Sequence, residues 1–151
     1  MKRIRQVNLV ALALMVLLCG AQARAQLSER FGPYELHYSV VNTTFLEPAV
    51  ASQYGITRGN RRAILNLSLR EHLPDGTTAA RTMDLEGSSW DLTEQRINFD
   101  FLEVREGPAI YYIGQFKFLN REWRYFNARF KPEGSEEFFD YEFKHQMYRN
   151  D

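Results

Sequence analysis

The sequence predicts an all-β protein: a seven-stranded antiparallel β-sandwich of immunoglobulin-like architecture, with one short helix after the first strand. From residue 34 onward, short runs rich in aromatic and β-branched residues alternate with turns that contain Gly, Pro, Asn or Asp. All 11 Phe, 8 Tyr and 2 Trp lie after residue 26, and such large side chains can fill a core without disulfides. A small β-barrel is the alternative architecture.

The first predicted strand covers residues 34–41, directly after Pro33. The helix is predicted over the stretch from Glu47 to Gly55. Pro48 fits the first turn of a helix, where the missing N–H leaves no hydrogen bond unmade. Gly55 is suited to end the helix because it can adopt a left-handed conformation.

The second predicted strand, residues 62–72, has a clear two-residue period. Leu65, Leu67 and Leu69 fall on one face, while polar side chains fall on the other, which is typical of a half-buried strand. Residues 73–77 follow, and the placement of Pro74 and Gly76 predicts a tight turn. We therefore expect a hairpin between residues 62–72 and a third strand at residues 78–85.

Four further strands complete the prediction, and turn residues separate them. The run at residues 109–119 is apolar or aromatic on both faces, which indicates a central position in a sheet. The four strands are predicted at residues 93–104, 109–119, 122–130 and 137–147.

The N-terminus has the pattern of a cleaved secretory signal peptide. Basic residues precede an apolar run at residues 7–18, which is too short to cross a bilayer as a permanent helix. The small-x-small pattern at residues 23–25 predicts cleavage before Gln26, with cleavage after Ala23 as the alternative. We therefore predict a signal peptide at residues 1–25, one β-sandwich domain at residues 26–151, no transmembrane anchor after cleavage, and a periplasmic location.

The only cysteine, Cys19, lies just after the apolar run. Lipoprotein processing requires a small residue before the lipid-bearing cysteine, whereas Leu18 precedes Cys19. We therefore predict that the protein is not a lipoprotein. The mature chain would then contain no cysteine, which leaves no disulfide and no cysteine-based zinc site to propose.

The charge of the predicted mature chain argues against nucleic-acid binding. All 19 acidic residues but only 15 of the 19 basic residues lie after position 25, so its formal charge is −4. Proteins that bind nucleic acids neutralise phosphates with clustered Lys and Arg, which requires the opposite balance.

Glu35 and His37 are the first candidate ligand-binding residues. They are two residues apart on a predicted strand, so their side chains share a face and could converge on a polar ligand. No further His or Cys at metal-ligand spacing accompanies them. The sequence therefore predicts neither a metal site nor a cofactor.

Arg58, Arg61 and Arg62 are the second set of candidates. They lie together in the loop after the predicted helix, and guanidinium groups hold carboxylates or phosphates through paired hydrogen bonds. We expect this loop to bind an anion, if the protein binds one.

Catalytic motifs are missing from the sequence: no serine lies in a Gly-x-Ser-x-Gly elbow. The prediction is therefore a non-enzymatic binding or protein-interaction module of the bacterial envelope, whose partner is an envelope protein or a small anionic ligand. The alternative is an envelope enzyme in which Glu35 and His37 act as an acid-base pair near the loop from Arg58 to Arg62. The sequence leaves the oligomeric state open.

Four segments carry a resemblance to a known family: residues 31–39 (FGPYELHYS), 42–46 (NTTFL), 51–58 (ASQYGITR) and 105–112 (REGPAIYY). They resemble an uncharacterised family of small exported proteins from Gram-negative proteobacteria, classed as a domain of unknown function. The resemblance extends from about Phe31 to Tyr148. It implies export to the periplasm and a compact β-rich fold, and it implies no activity, cofactor or catalytic residue.

Overall fold

Residues 27–150 are described by a computed structural model, which contains ten β-strands, a 3₁₀ turn at Thr43–Phe45 and one α-helix, α1 at Pro48–Gln53. The predicted signal peptide lies outside the described residues. The strands are β1 Leu27–Phe31, β2 Tyr34–Asn42, β3 Arg62–His72, β4 Thr78–Arg81, β5 Met83–Trp90, β6 Arg96–Asn98, β7 Leu102–Glu106, β8 Ala109–Lys117, β9 Trp123–Pro132 and β10 Phe139–Gln146.

The strands form two antiparallel sheets. The first sheet has the order β1-β2-β3-β8-β7, with β4 paired to β3, and the second has the order β10-β9-β5-β6. Over the described residues each sheet keeps open edges, so the domain is a sandwich and not a closed barrel. The predicted sandwich class is confirmed.

The predicted count of seven strands is wrong, because two of the predicted strands each divide between the sheets. The run 78–85 breaks at Thr82, so that β4 joins the first sheet and β5 joins the second. The run 93–104 divides in the same way into β6 and β7. In addition, β1 pairs with β2 through residues that precede the first predicted strand.

The predicted helix and the predicted hairpin are confirmed. Pro48 is the first residue of α1, and Gly55 has a φ of 64° just after the helix. In the β3–β4 hairpin, the backbone N–H of Leu73 donates to the carbonyl of Thr77, and Gly76 has a φ of 86°. These positive φ values are the reason that glycine occupies both turns.

The core lies between the sheets and is largely aromatic. Phe126 and Phe130 of β9 and Leu65 and Leu67 of β3 are fully buried. Rings contact one another from Phe31 at one side of the sandwich, through Phe139, Tyr141, Phe143 and Phe126, to Phe116. This continuous cluster accounts for the high aromatic content of the sequence.

Two glycines make room for the segment that crosses between β6 and β7. A Cβ atom on Gly114 would lie 2.7 Å from the ring of Phe99, and one on Gly87 would lie 2.8 Å from the ring of Phe101. The two phenylalanine rings therefore occupy space that only glycine leaves open in both sheets.

Helix α1 covers part of the outer face of the first sheet. Ala51 and Ile56 pack there against Ile64 of β3, and all three are buried. No helix in residues 27–150 is both long and apolar enough to span a membrane.

Candidate functional site

A cleft of about 510 Å³ opens at one corner of the sandwich. Its walls are the loop before β3, the end of β8, the start of β9 and the segment between β5 and β6. A second lobe of about 360 Å³ extends along the end of β8 toward Ile97. The two lobes share five lining residues: Arg62, Asp91, Gln95, Lys117 and Arg124.

Arg124 forms the floor of the cleft, and its side chain is only 7% exposed. The guanidinium donates from Nε to Ser89 Oγ at 2.8 Å and from Nη1 to Glu122 Oε1 at 3.0 Å. The guanidinium carbon also lies 5.5 Å from the centre of the Phe116 ring. These contacts fix the orientation of a charged group that would otherwise be costly to bury.

Three further cations lie at the rim. Arg61 and Lys117 are exposed, Arg62 is half-buried, and the aliphatic part of Arg62 packs beside Gly59. Within residues 27–150, the charged groups of these three side chains have no ion-pair or hydrogen-bond partner. Cations that line a cleft and are not neutralised by the protein are suited to hold an anion.

Two carboxylates also line the cleft. Glu122 accepts hydrogen bonds from Arg124 and from the backbone N–H of Leu119. Asp91 accepts the hydroxyl of Thr93 at 2.6 Å, and this hydrogen bond is the main reason that the pKa of Asp91 lies below its ordinary value. Four cations against two anions leave the lining with a formal charge of +2.

The structure separates the three candidate arginines. Arg61 and Arg62 line the cleft, but Arg58 does not. Arg58 donates instead to the carbonyl oxygens of Thr43 and Thr44 at 3.3 and 3.1 Å. It therefore ties the loop to the 3₁₀ turn.

Glu35 and His37 lie on the outer face of the first sheet, as their spacing predicts. The carboxylate of Glu35 accepts Ser28 Oγ at 2.6 Å and lies 2.6 Å from His72 Nε2, while His37 Nε2 is 3.9 Å away. The hydrogen bonds from Ser28 and then His72 lower the pKa of Glu35. Among the described residues, no group of three or more His, Cys, Asp or Glu is arranged to hold a metal ion.

The two sets of candidates are far apart. Glu35 pairs with Arg70, which is eight residues along β3 from Arg62, or about 26 Å at roughly 3.3 Å per residue. His37 lines a separate depression of about 140 Å³. The structure therefore does not bring Glu35 and His37 together with the arginines.

Sequence reasoning missed Arg124, Lys117 and Asp91. Arg124 carried a signal, because it shares the face of β9 that buries Phe126 and Phe130 in an otherwise apolar series. A charged residue on the apolar face of a strand indicates either a buried ion pair or a site. Lys117 and Asp91 carry no such signal, because only the folded chain brings them to Arg124.

The architecture and the cleft of residues 27–150 define a β-sandwich with a cationic cleft at one corner. The family model for a domain of unknown function, DUF4426, matches residues 28–150, and the chain belongs to this family. The crystal structure of a DUF4426 family protein from Pseudomonas aeruginosa is similar, with a TM-score of 0.73 and 29% identity over 85% of this chain and 99% of that one.

Two more distant solved structures share the fold. FetP from uropathogenic Escherichia coli, expressed recombinantly in the E. coli periplasm, has a TM-score of 0.61 and 11% identity over 84% of this chain and 96% of that one. A copper-bound variant of FetP has a TM-score of 0.59 and 9% identity over 83% and 97%. No curated protein matches the chain significantly.

Proposed function

We propose that the protein is a periplasmic, non-enzymatic binding module that holds a small anionic ligand in the cleft at the corner of the sandwich. The observation that carries the proposal is the set of cations in this cleft. Arg61, Arg62 and Lys117 have no partner among the described residues, and Arg124 is buried beneath them.

The charge distribution supports an anion as the ligand. The mature chain is predicted to carry a formal charge of −4, whereas the lining of the cleft carries +2. Positive charge concentrated in a cleft with protein walls attracts anions more strongly than the same charge on an open surface. The cavity also lies within the range of about 300–1,000 Å³ that is usual for small-molecule sites.

Export to the periplasm is supported by the N-terminal sequence, in which basic residues precede a short apolar run and a cleavage pattern. The recombinant expression of FetP, a protein of the same fold, in the periplasm is consistent with this location. We propose cleavage after residue 25, so that the chain begins one residue before β1.

The geometry supports binding over the enzymatic alternative. An acid-base pair at Glu35 and His37 would have to act on a ligand held by arginines about 26 Å away, beyond the reach of any side chain. In addition, Ser28 and His72 already occupy the carboxylate of Glu35.

The test is the thermal unfolding of the purified protein in the presence of phosphate, sulfate, succinate or glutarate. At least one anion is expected to raise the Tm with saturation, because a ligand that binds only the native state stabilises it. Arg62→Ala should weaken this effect. Arg30→Ala is the matched control, because Arg30 is exposed on β1, outside the cleft.

Two results would overturn the proposal. One is that no anion, including those described below, raises the Tm in a saturable way. The other is that Arg62→Ala and Arg30→Ala respond to the anion as the unmodified protein does.

A further inference from the structure

We infer that the ligand of this cleft is an acidic α-amino acid, which combines two carboxylates with one ammonium group. This inference rests on the proposed anion-binding function and makes it more specific. It follows from two polar atoms on residues that line the cleft, Nη2 of Arg124 and Oδ2 of Asp91.

Arg124 supplies the donor. A guanidinium carries five N–H groups. Nε donates to Ser89, and Nη1 donates to Glu122 and, at 3.5 Å, to the carbonyl of Lys117. Nη2 has no acceptor among the described residues, although the side chain is only 7% exposed. A fixed arginine with a free donor edge in a cleft is suited to hold a carboxylate.

Asp91 supplies the acceptor. Its Oδ1 atom accepts three hydrogen bonds, from the backbone N–H and the hydroxyl of Thr93 and from the backbone N–H of Gln95. Its Oδ2 atom has no hydrogen-bond or ion-pair partner among the described residues, although the charge of Arg124 lies near enough to contribute to the lowered pKa of Asp91. The hydrogen bonds to Oδ1 fix the orientation of the carboxylate, and an aspartate is ionised at neutral pH. Oδ2 is therefore available to a cationic group.

The two atoms lie in the same part of the molecule, because Arg124 and Asp91 each line both lobes of the cleft. An α-amino acid presents a carboxylate and an ammonium group on one carbon, which suits a cleft that offers both a donor and an acceptor. The cations at the rim then remain for a second carboxylate.

The same arrangement disfavours multiply charged anions that lack an ammonium group. A phosphate or a dicarboxylate beside Asp91 would bring a second negative charge next to its carboxylate, without an ammonium group to pair with Oδ2. Arg124 and Asp91 together thus favour a ligand with an adjacent carboxylate and ammonium group, and the cations at the rim favour a second carboxylate on the same ligand.

The test compares the affinities of the purified protein for glutamate, glutarate and glutamine by titration calorimetry, with both enantiomers of glutamate. Glutarate lacks the ammonium group, and glutamine lacks the second carboxylate. One of the glutamate enantiomers is expected to bind about tenfold more tightly than either analogue, which is the usual size of one charge-assisted hydrogen bond.

Asp91→Asn should bring the affinities for glutamate and glutarate close together, because asparagine keeps the turn but loses the charge. This affinity ratio would not change if Asp91 only stabilised the turn. Asp84→Asn is the matched control, because Asp84 lies on the outer face of the second sheet, where it pairs with Lys131.

The outcomes separate the two proposals. If glutarate or phosphate binds as tightly as glutamate and Arg62→Ala weakens that binding, the inference about the amino acid is wrong and the anion-binding function stands. If glutamate, its analogues and phosphate all fail to bind, both proposals are wrong.

Discussion

The aromatic core and the cationic cleft meet at Phe116, and the space between the two sheets differs on its two sides. The ring of Phe116 lies 5.4 Å from the ring of Phe126 on the core side. On the other side it lies 5.5 Å from the guanidinium of Arg124. Beyond Phe126 the space between the sheets is filled with rings, whereas beyond Arg124 it is open and lined with charges.

The aromatic core supplies the stability of the fold, and the cleft is available for a ligand. Buried rings gain free energy from leaving water and from close packing. The cations at the rim of the cleft have no comparable contacts within residues 27–150.

Phe126→Ala should have the largest effect on stability. Its ring is fully buried and contacts Phe99, Phe116 and Phe143, so its removal leaves a cavity that costs about 3–5 kcal/mol. Chemical denaturation measures the change. Leu119→Ala in the cleft is the control, because Leu119 is 61% exposed; an equal loss in both variants would contradict the division.

Arg124→Met tests the boundary between the regions. It removes hydrogen bonds to Ser89 and Glu122 and leaves the carboxylate of Glu122, 10% exposed, without its cation. We expect a loss of about 2–3 kcal/mol in denaturation experiments and a loss of anion binding. The double variant Arg124→Met, Glu122→Gln should recover stability but not binding; recovery of both would show that Arg124 does not contact the ligand.

Gly114→Ala tests the packing of the segment that crosses between the sheets. The added methyl group would lie 2.7 Å from the ring of Phe99, so we expect a loss of about 1–3 kcal/mol from overpacking. The control is Gly59→Ala in the cleft loop, where the methyl group meets only the flexible side chain of Arg62 at 3.3 Å. A thermal melt in which the two variants shift the Tm equally would refute this explanation.

Glu35→Gln should have the smallest effect, and the effect should depend on pH. The folded-state pKa of Glu35 lies below its ordinary value of 4.5 because Ser28 and His72 bind the carboxylate. The ionised form therefore stabilises the fold above about pH 5, and this contribution is lost as the pH falls through the folded-state pKa. The variant should be about 1 kcal/mol less stable at pH 7, and the gap should close as the pH falls below the folded-state pKa. A gap that stays constant in denaturation curves from neutral to strongly acidic pH would exclude this linkage.

Local features of the fold could be predicted from the sequence because they depend on nearby residues. Pro48 and Gly55 bound the helix, and Gly76 sets the hairpin turn. The division of the run 78–85 could not be predicted in this way. The chain leaves the first sheet and enters the second at Thr82. Threonine is not a typical turn residue, and the residues on either side, Arg81 and Met83, are ordinary strand residues.

The candidate site can be predicted only in part, because residues that are distant in the sequence come together in it. The sequence shows Arg61 and Arg62 as neighbours in one basic cluster, and both line the cleft. Arg58 belongs to the same cluster in sequence, but the carbonyl groups of the 3₁₀ turn, 14 and 15 residues earlier in the chain, bind its guanidinium. Arg124 lies on β9, and only the packing of the two sheets brings it beneath the rim.

A ¹⁵N–¹H NMR titration of the purified protein with glutamate shows directly whether the cleft binds the ligand. We expect saturable shifts of the backbone amides at residues 59–62, 91–95 and 117–124, with the amides around Phe130 and Glu35 unchanged. Saturable shifts confined to the outer face of the first sheet would contradict the assignment of the cleft as the binding site. No shifts at millimolar glutamate would contradict an acidic amino acid as its ligand.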